Sequence, residues 1–416
     1  ETLENVRRVR LRHALERDEF VLHVQPSVSL QDGRLTGVEG LIRWNHPEDG
    51  LLFPGAFLPD LLGRSLELDV GRWALDTALE TADRWRRTGV VPERGWSFSV
   101  NIGGFQLLTP GFVEDVAAVL QRYPDLPPGT LQLEVVETAA LADVERARDV
   151  LSRCRTLGVR VALDDFGTGY SSLSYFRNLP IDTLKIDLSF VQNMLDNASD
   201  LGIVQSVIGL ARAFDRSVVA EGVETLDHAA ALAALGADVA QGYVVAKPMS
   251  IDAFPEWQRA WRDGDRFGDV KDRLDIAVED LPIRVAVRSH RRWIEMLRAF
   301  DATGGTSPLP PMDREACAFG AWYQGSGNAV YGGQPVFAEL GRLHDRIHRI
   351  GERLVERVRA ADARGSAPAP SDDASNGDEV AGDARTGDAR HAELLEDLHA
   401  THLALTEHLE SLITPE

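Results

Sequence analysis

Asp164-Asp165-Phe166-Gly167-Thr168-Gly169-Tyr170-Ser171-Ser172-Leu173 sets two adjacent carboxylates at the mouth of a glycine-rich loop, directly after the apolar residues Val159, Val161, Ala162 and Leu163. A short apolar run reads as a buried strand, and a strand that ends in carboxylates presents oxygen ligands at its tip. Other apolar runs end in the same manner, in Glu39, Asn101, Glu134, Lys185 with Asp187, Glu221 and Gln241. Carboxylates gathered in one place cannot all stay ionised without a cation, and hard ions such as Mg2+ or Mn2+ prefer oxygen donors. Two such ions, about 3.5–4 Å apart and bridged by an aspartate, activate water and neutralise the in-line displacement of a phosphodiester. On this reading Asp164 is the bridging ligand and Asp165 turns to the second ion. Lys185 holds the attacking water or the phosphate as a point charge, and Glu221 binds metal or accepts a proton. Asp187 shares the strand face of Lys185. Glu137 and Glu224 stand one step back, anchoring the loop or pairing with an arginine. A single strand-end carboxylate is more often a helix cap or a solvated turn residue, so the reading rests on the joint pattern.

Eight strand-like runs deliver these residues: Phe20 to Leu30, Leu35 to Trp44, Trp96 to Ile102, Leu131 to Val136, Val159 to Leu163, Thr183 to Ile186, Ser217 to Ala220 and Val239 to Val245. They alternate with helical stretches at spacings of about 20 to 35 residues after the first pair, which predicts a (β/α)8 TIM-like barrel with its chemistry at the carboxyl ends of the strands. Composition shifts past Ile251, and three amphipathic segments follow, Arg284 to Phe300, Val336 to Ala360 and His391 to Leu412. They predict a small all-α helical bundle. The expected organisation is a barrel over 1–264, a linker over 265–283 and a bundle over 284–416. Residues 361–390, rich in Ala, Gly, Ser, Asp and Pro without an apolar face, read as a disordered insert.

Length and charge narrow the function. A chain of 416 residues exceeds one ordinary domain. Acidic residues outnumber basic ones 65 to 44, a formal charge of -21, which argues against binding a nucleic acid polymer along its phosphates. Cys154 and Cys317 form no C-x-x-C pair, so a reducing cytoplasm is expected rather than a disulfide framework. No apolar stretch approaches the roughly 20 residues that span a bilayer. The chain starts at Glu1 without a leader pattern, which reads as a fragment whose upstream sensor or anchor lies elsewhere.

The barrel resembles the EAL domain, the family of cyclic di-GMP phosphodiesterases. The resemblance rests on Val24-Gln25-Pro26, Val38-Glu39-Gly40-Leu41-Ile42-Arg43-Trp44, Ser99-Val100-Asn101, Leu133-Glu134-Val135-Val136-Glu137, the Asp164 to Leu173 loop, Leu184-Lys185-Ile186-Asp187, Ala220-Glu221-Gly222-Val223-Glu224-Thr225 and Gln241-Gly242-Tyr243, across roughly residues 15 to 260. It implies hydrolysis of one phosphodiester bond of cyclic di-GMP, giving linear pGpG, on two Mg2+ or Mn2+ ions. The implied ligands are Glu39, Asn101, Glu134, Asp164, Asp165 and Glu221. Lys185 is then the water-orienting residue, Gln241 helps complete the site, and substrate contacts fall on Gln25, Leu41 and Arg43. A homodimer contact coupled to the metals through the loop from Asp165 to Ser172 is also implied. Three departures stand out: glycine at position 40 where the family has alanine, Val136 where it usually has threonine, and Ile102-Gly103-Gly104 where it has a leucine-serine pair. Gly40 is expected to reduce precision through a more flexible strand without abolishing chemistry. These departures also support an alternative: a catalytically inactive EAL module acting as a cyclic di-GMP receptor or protein-interaction module. A metal-dependent hydrolase of another phosphoester is a third reading.

A second constellation comprises His290-Arg291-Arg292-Trp293, Cys317-Ala318-Phe319-Gly320-Ala321-Trp322 and His344-Asp345-Arg346-Ile347-His348. His344 and His348, four apart, project from one helix face and can chelate one ion. With His290 and Cys317 they complete a tetrahedral Zn2+ site of three imidazoles and a thiolate. Histidines on an apolar face are otherwise core residues with a hydrogen bond. The order and spacing resemble the chemoreceptor zinc-binding domain over about residues 284 to 360 plus the last helix. On that helix lie His391, His399, His402 and His408, read as surface or core residues, with His402 on the leucine stripe as the competing ligand. A zinc-bound thiolate is also open to oxidation, so control of the phosphodiesterase by zinc or an oxidant is expected.

Overall fold

The computed structural model describes residues 2–166, 176–262, 280–315, 317–365 and 377–412, with Phe267 and Val270; the side chains of residues 2–5, 326 and 361–388 are not described. The chain divides into two compact units, one of residues 1–192 and 203–275 and one of residues 193–202 and 276–416.

The first unit is a closed eight-stranded barrel. Its strands are β1 (Phe20–Ser29), β2 (Leu35–His46), β4 (Ser97–Ile102), β5 (Leu131–Val136), β6 (Arg160–Phe166), β7 (Thr183–Ile186), β8 (Ser217–Ala220) and β9 (Val239–Gln241), and the short strands β3 (Gly50–Leu52) and β10 (Met249–Ser250) add at β2 and β1. Around the barrel from β2 to β4 and on to β9 the neighbours run parallel, whereas β1 is antiparallel to both β2 and β9 and closes the ring between them. That inversion follows from the connection. Only residues 30–34 separate β1 from β2, and a link this short joins strands only antiparallel; a parallel crossover needs a dozen residues or more.

Strand β9 is shorter than the apolar run that signals it. Gly242, at φ 157°, follows Gln241, and a β-carbon there would lie 2.3 Å from the backbone N and O of Val223. The chain turns at Gly242 because only a hydrogen fits against Val223. In β6 the register with β7 shifts between Leu163 and Phe166, and Asp165 adopts φ 56°. The shift falls at the two aspartates, of which Asp164 is buried and Asp165 exposed.

Aromatic packing fixes the strands that carry the site. Phe98 on β4 stacks at 6.0 Å on Trp85 of the Ser65–Arg87 helix, and Trp85 stacks at 4.2 Å on Phe254. The same Phe98 accounts for Gly40: a β-carbon at position 40 would lie 2.9 Å from Phe98 Cε1 and 3.3 Å from the Ser99 carbonyl oxygen. The methyl that the resemblance expects is therefore replaced by a neighbouring ring, and β2 is packed rather than loosened.

The second unit is helical, with helices Leu281–Ala302, Ala318–Gln324, Ser326–Tyr331, Pro335–Gly365 and Gly377–Glu410. Its core is formed by Ile283, Leu297, Phe319, Trp322, Leu340, Ile347, Leu354, Leu398, Leu405 and Leu409. Within the expected disordered insert over 361–390, helix instead runs to Gly365 and again from Gly377; residues 366–376 lie outside the described residues.

Restoring alanine at position 40 overpacks this layer, at a cost of about 1–3 kcal/mol that outweighs the roughly 0.5–1 kcal/mol gained on replacing a strand glycine. Gly40→Ala is expected to lower the melting temperature of the barrel, and Phe98→Leu in the same chain to relieve the loss. A stabilised single variant would contradict the packing account.

Candidate active site and candidate metal centre

The carboxyl ends of β2 and β4 to β9 bring one polar cluster together. Its centre is the ammonium of Lys185 from β7, which is 1 % exposed. Its Nζ lies 2.6 Å from Glu134 Oε2, 2.6 Å from Glu221 Oε1, 3.4 Å from Glu39 Oε2 and 3.4 Å from Asp164 Oδ1. Glu39 is held from two further sides: Asn101 Nδ2 donates to its Oε1 at 2.7 Å and Gln241 Nε2 to its Oε2 at 2.7 Å. Gln25, the register partner of Glu39 on β1, lies 3.5 Å from Gln241 Nε2 through its Oε1 and donates to the Ala246 carbonyl at 3.1 Å. Glu39, Asn101, Glu134, Asp164, Lys185, Glu221 and Gln241 thus converge as the strand-end pattern predicts.

One ammonium cannot neutralise four carboxylates. Burial pushes Glu39 up, but Lys185 and the hydrogen bonds from Asn101 and Gln241 outweigh it, so its carboxyl ends below the ordinary range. Burial and the charge of Glu39 drive Glu134 well above it despite Lys185. Burial raises Glu221 to about 8, with Asp164 and Glu39 working against the pull of Lys185. Burial disfavours the Lys185 ammonium, yet Glu134, Glu221, Glu39 and Asp164 hold its pKa well above normal. The ring thus keeps Lys185 charged and Glu39 ionised, while burial favours protons on Glu134 and Glu221. An all-oxygen donor set that retains protons for want of positive charge fits hard divalent cations.

The remaining candidates lie around this ring. Asp165, exposed as a residue, has a carboxyl raised by partial desolvation and by the neighbouring charges of Asp164 and Asp187. Asp187, half-buried, accepts the Ser189 backbone N–H at 3.0 Å and bonds the Ser189 hydroxyl at the start of the Leu188–Asn193 helix. Arg43 is buried, donates to the Ile42 carbonyl at 2.8 Å and lies over the Phe53 ring at 4.9 Å; Leu41 is half-buried. Glu137 is buried as the first residue of the Glu137–Ala142 helix, and exposed Glu224 accepts from Gln192 at 2.9 Å. Gly167 to Leu173 of the loop lie outside the described residues.

The departures after Asn101 and Glu134 have structural counterparts. Glu67, 4 % exposed, accepts the Gln106 backbone N–H at 3.1 Å and also that of Gly63. A β-carbon on Gly103 would lie 2.1 Å from Glu67 Oε1, so the glycine makes room for a carboxylate that braces the segment following Asn101. Sequence reasoning missed Glu67; its signal is an acid on the buried face of a helix, between Leu66 and Val70. Val136 occupies the N-cap of the Glu137–Ala142 helix, which has no side-chain cap, so the missing threonine hydroxyl is a missing cap.

In the helical unit, Cys317, His344 and His348 form the one group of three or more His, Cys, Asp or Glu ligand atoms within 4.8 Å of one another among the described residues. Cys317 caps the Ala318–Gln324 helix: its Sγ accepts the Gly320 N–H at 3.2 Å and lies 3.2 Å from His344 Nε2. Glycine is required at 320, where a β-carbon would lie 1.8 Å from the Arg314 carbonyl oxygen. His290 borders the trio, its ring centroid 5.7 Å from that of His344. His290 Nε2 and His348 Nε2 are both buried with no hydrogen-bond partner. His290 Nδ1 meets His402 Nδ1 at 3.1 Å and His348 Nδ1 meets the Met312 carbonyl at 3.0 Å. Burial holds the three imidazoles neutral, His344 down to about 3, and raises the Cys317 thiol. Neutral imidazoles with orphaned nitrogens beside a thiol are the donor set that Zn2+ takes.

The profile of the EAL domain matches residues 8–248, more than half of the chain. The chain belongs to the EAL-domain family. The profile of the chemoreceptor zinc-binding domain matches residues 290–355. Among curated proteins, the bifunctional diguanylate cyclase/cyclic di-GMP phosphodiesterase MucR of Pseudomonas aeruginosa is 39% identical over 242 residues, covering 58% of this chain and 35% of MucR. A cyclic di-GMP phosphodiesterase of the same organism is 36% identical over 240 residues, covering 58% of this chain and 40% of that protein. The chain thus aligns with well under half the length of these relatives. Among solved structures, the MucR phosphodiesterase in complex with c-di-GMP matches with a TM-score of 0.56 and 39% identity, over 58% of this chain and 96% of that one. The EAL enzyme Bd1971, bound to cAMP and cyclic di-GMP, matches with 0.57 and 35%, over 61% and 68%. Among the described residues no helix is long and apolar enough to cross a membrane.

A cation entering the barrel ring must displace the protons on Glu134 and Glu221, so the affinity depends on pH. Protons compete with the ion for carboxyls of raised pKa below that pKa and cease to compete above it. Calorimetric titration of the metal-free chain with Mg2+, which imidazole and thiolate sites leave alone, should show affinity tightening from about pH 6.5 to about pH 8.5, with proton release at the low end. A pH-independent affinity without proton release would contradict these charge states.

Proposed function

We propose that this chain hydrolyses one phosphodiester bond of cyclic di-GMP to give linear pGpG, and that its helical unit holds one Zn2+ that modulates the reaction. The observation that supports it best is the ring of Glu39, Glu134, Asp164 and Glu221 around Lys185, short of positive charge and built on the family's strand ends. Glu39, Asn101, Glu134, Asp164, Asp165 and Glu221 would hold Mg2+ or Mn2+. Two such ions, when bound, supply neutralisation of the phosphoryl charge and a lowered pKa for water.

The chain's own groups do the rest. Lys185 stays charged and orients the water or a phosphate oxygen by its fixed ammonium. Glu221, whose Oε1 lies 2.6 Å from Lys185 Nζ, is placed to bind metal or to take the water's proton. Water oxygen attacks phosphorus while the bond to the opposite ester oxygen breaks, and that oxygen takes its proton from solvent, to which the base releases the one it accepted. Gln241 and Asn101 keep Glu39 oriented. Gln25, Leu41, Arg43 and Asp187 line the substrate side, with Glu137 and Glu224 as supports behind the ring.

The same reading assigns the phosphodiesterase to residues 1–264 and the zinc-binding bundle to 284–416. His290, Cys317, His344 and His348 are the zinc ligands, supported by the orphaned Nε2 atoms of His290 and His348. The protein acts as a homodimer in the cytoplasm, where both free cysteines stay reduced.

Incubation with cyclic di-GMP and Mg2+ or Mn2+, followed by chromatography, should yield pGpG from the wild type, and Glu39→Ala should lower the rate by about 100-fold or more. Binding without product would overturn the enzyme in favour of the receptor. Removal of zinc that leaves both rate and oligomeric mass unchanged would sink the regulatory part.

A further inference from the structure

His402 lies outside the segment that matches the zinc-binding profile, on the Gly377–Glu410 helix. That helix is fixed in the bundle by buried Leu398, Leu405 and Leu409 and by an ion pair from Arg346 to Asp397 at 2.6 Å. His402 therefore meets His290 at a set position. The two rings are 20° apart in plane with centroids at 5.2 Å, and their Nδ1 atoms are 3.1 Å apart. The centroids are separated by about one ring width more than the nitrogens, so the rings meet edge to edge, the arrangement of an N–H···N bond. Phe319 packs against the His290 ring at 5.5 Å and Trp293 at 6.2 Å, leaving it little freedom to turn. The other nitrogen, Nε2, is buried and has no hydrogen-bond partner.

An imidazole that donates from Nδ1 has its lone pair on Nε2, and the partner on the far nitrogen decides which tautomer a metal meets. We propose that His402 is a positioning residue of the zinc centre: it accepts the Nδ1–H of His290 and so fixes the tautomer whose Nε2 lone pair faces the metal. The last helix is thereby tied to metal occupancy. This rests on the reading of His290 as a ligand. Carbonyl oxygen plays the equivalent part for His348, whose Nδ1 lies 3.0 Å from the Met312 oxygen, so both orphaned Nε2 atoms are backed by a partner on the opposite nitrogen.

The test uses the full chain with His402→Ala, His402→Gln and His290→Ala. Zn2+ affinity is read by competition with a chromophoric chelator, the ligand set by the visible spectrum of the Co2+ form, and folding by the melt of the metal-free protein. His402→Ala is expected to weaken zinc by about 10–100-fold with unchanged Co2+ bands and an unchanged metal-free melt. His402→Gln, whose side-chain oxygen can accept the same N–H, should restore most of the affinity. Altered Co2+ bands in His402→Ala would make His402 a ligand and overturn the proposal, as would a glutamine no better than alanine. Loss of affinity in His290→Ala with none in His402→Ala overturns the positioning role alone; no loss in His290→Ala overturns the ligand reading and the proposal with it.

Discussion

A single buried ammonium surrounded by four carboxylates is the constraint on which the barrel site depends. Lys185 is the only cation in contact with Glu39, Glu134, Asp164 and Glu221 among the described residues, and its two shortest contacts are 2.6 Å. Burying one charge without partners is prohibitive, and burying five groups with one compensating charge leaves a deficit that only protons or further cations can fill. The barrel supplies the rigidity that keeps the groups together, since each arrives from a different strand whose register is locked by its neighbours. Asn101 pairs in register with Glu134, and Glu39 with Ser99, so no member can move without disturbing a ladder.

Much of this was legible in the sequence because strand ends are marked by composition. Strands of four to seven residues with Glu134, Asp164 and Lys185 among their last three residues, and Glu221 directly after one, carry both the period and the position of the site. The inverted first strand also has a local mark, the five-residue link at 30–34, whose length suits a hairpin. What composition could not show was the register shift at Asp164 and Asp165, because it depends on the neighbouring strand. Nor could it show that Phe98 fills the space beside Gly40, or that Glu67 lies against Gly103, since both are contacts between residues distant in sequence. Two of the departures from the family pattern that looked like weaknesses are thus compensated by partners from elsewhere in the chain, while the missing cap at Val136 is not.

The helical unit shows the same division. The four-residue spacing of His344 and His348 and the glycine after Cys317 were readable, because a helix face and a cap have local signatures. The edge-to-edge meeting of His290 and His402 was not, since it joins residues 112 apart and depends on how the last helix docks. Barrel and bundle divide their donors by softness: carboxylates and amides in one, imidazoles and a thiol in the other, donor sets that suit different classes of ion.

The charge balance of the barrel ring is tested most directly by Lys185→Met, followed by thermal melting with and without Mg2+. Removing one partner of a buried ionic cluster costs about 3–5 kcal/mol, so the metal-free variant should melt well below the wild type. Mg2+ should then raise its melting temperature more than that of the wild type, because the ring has lost its only resident cation. A metal-free variant that melts like the wild type would contradict the account.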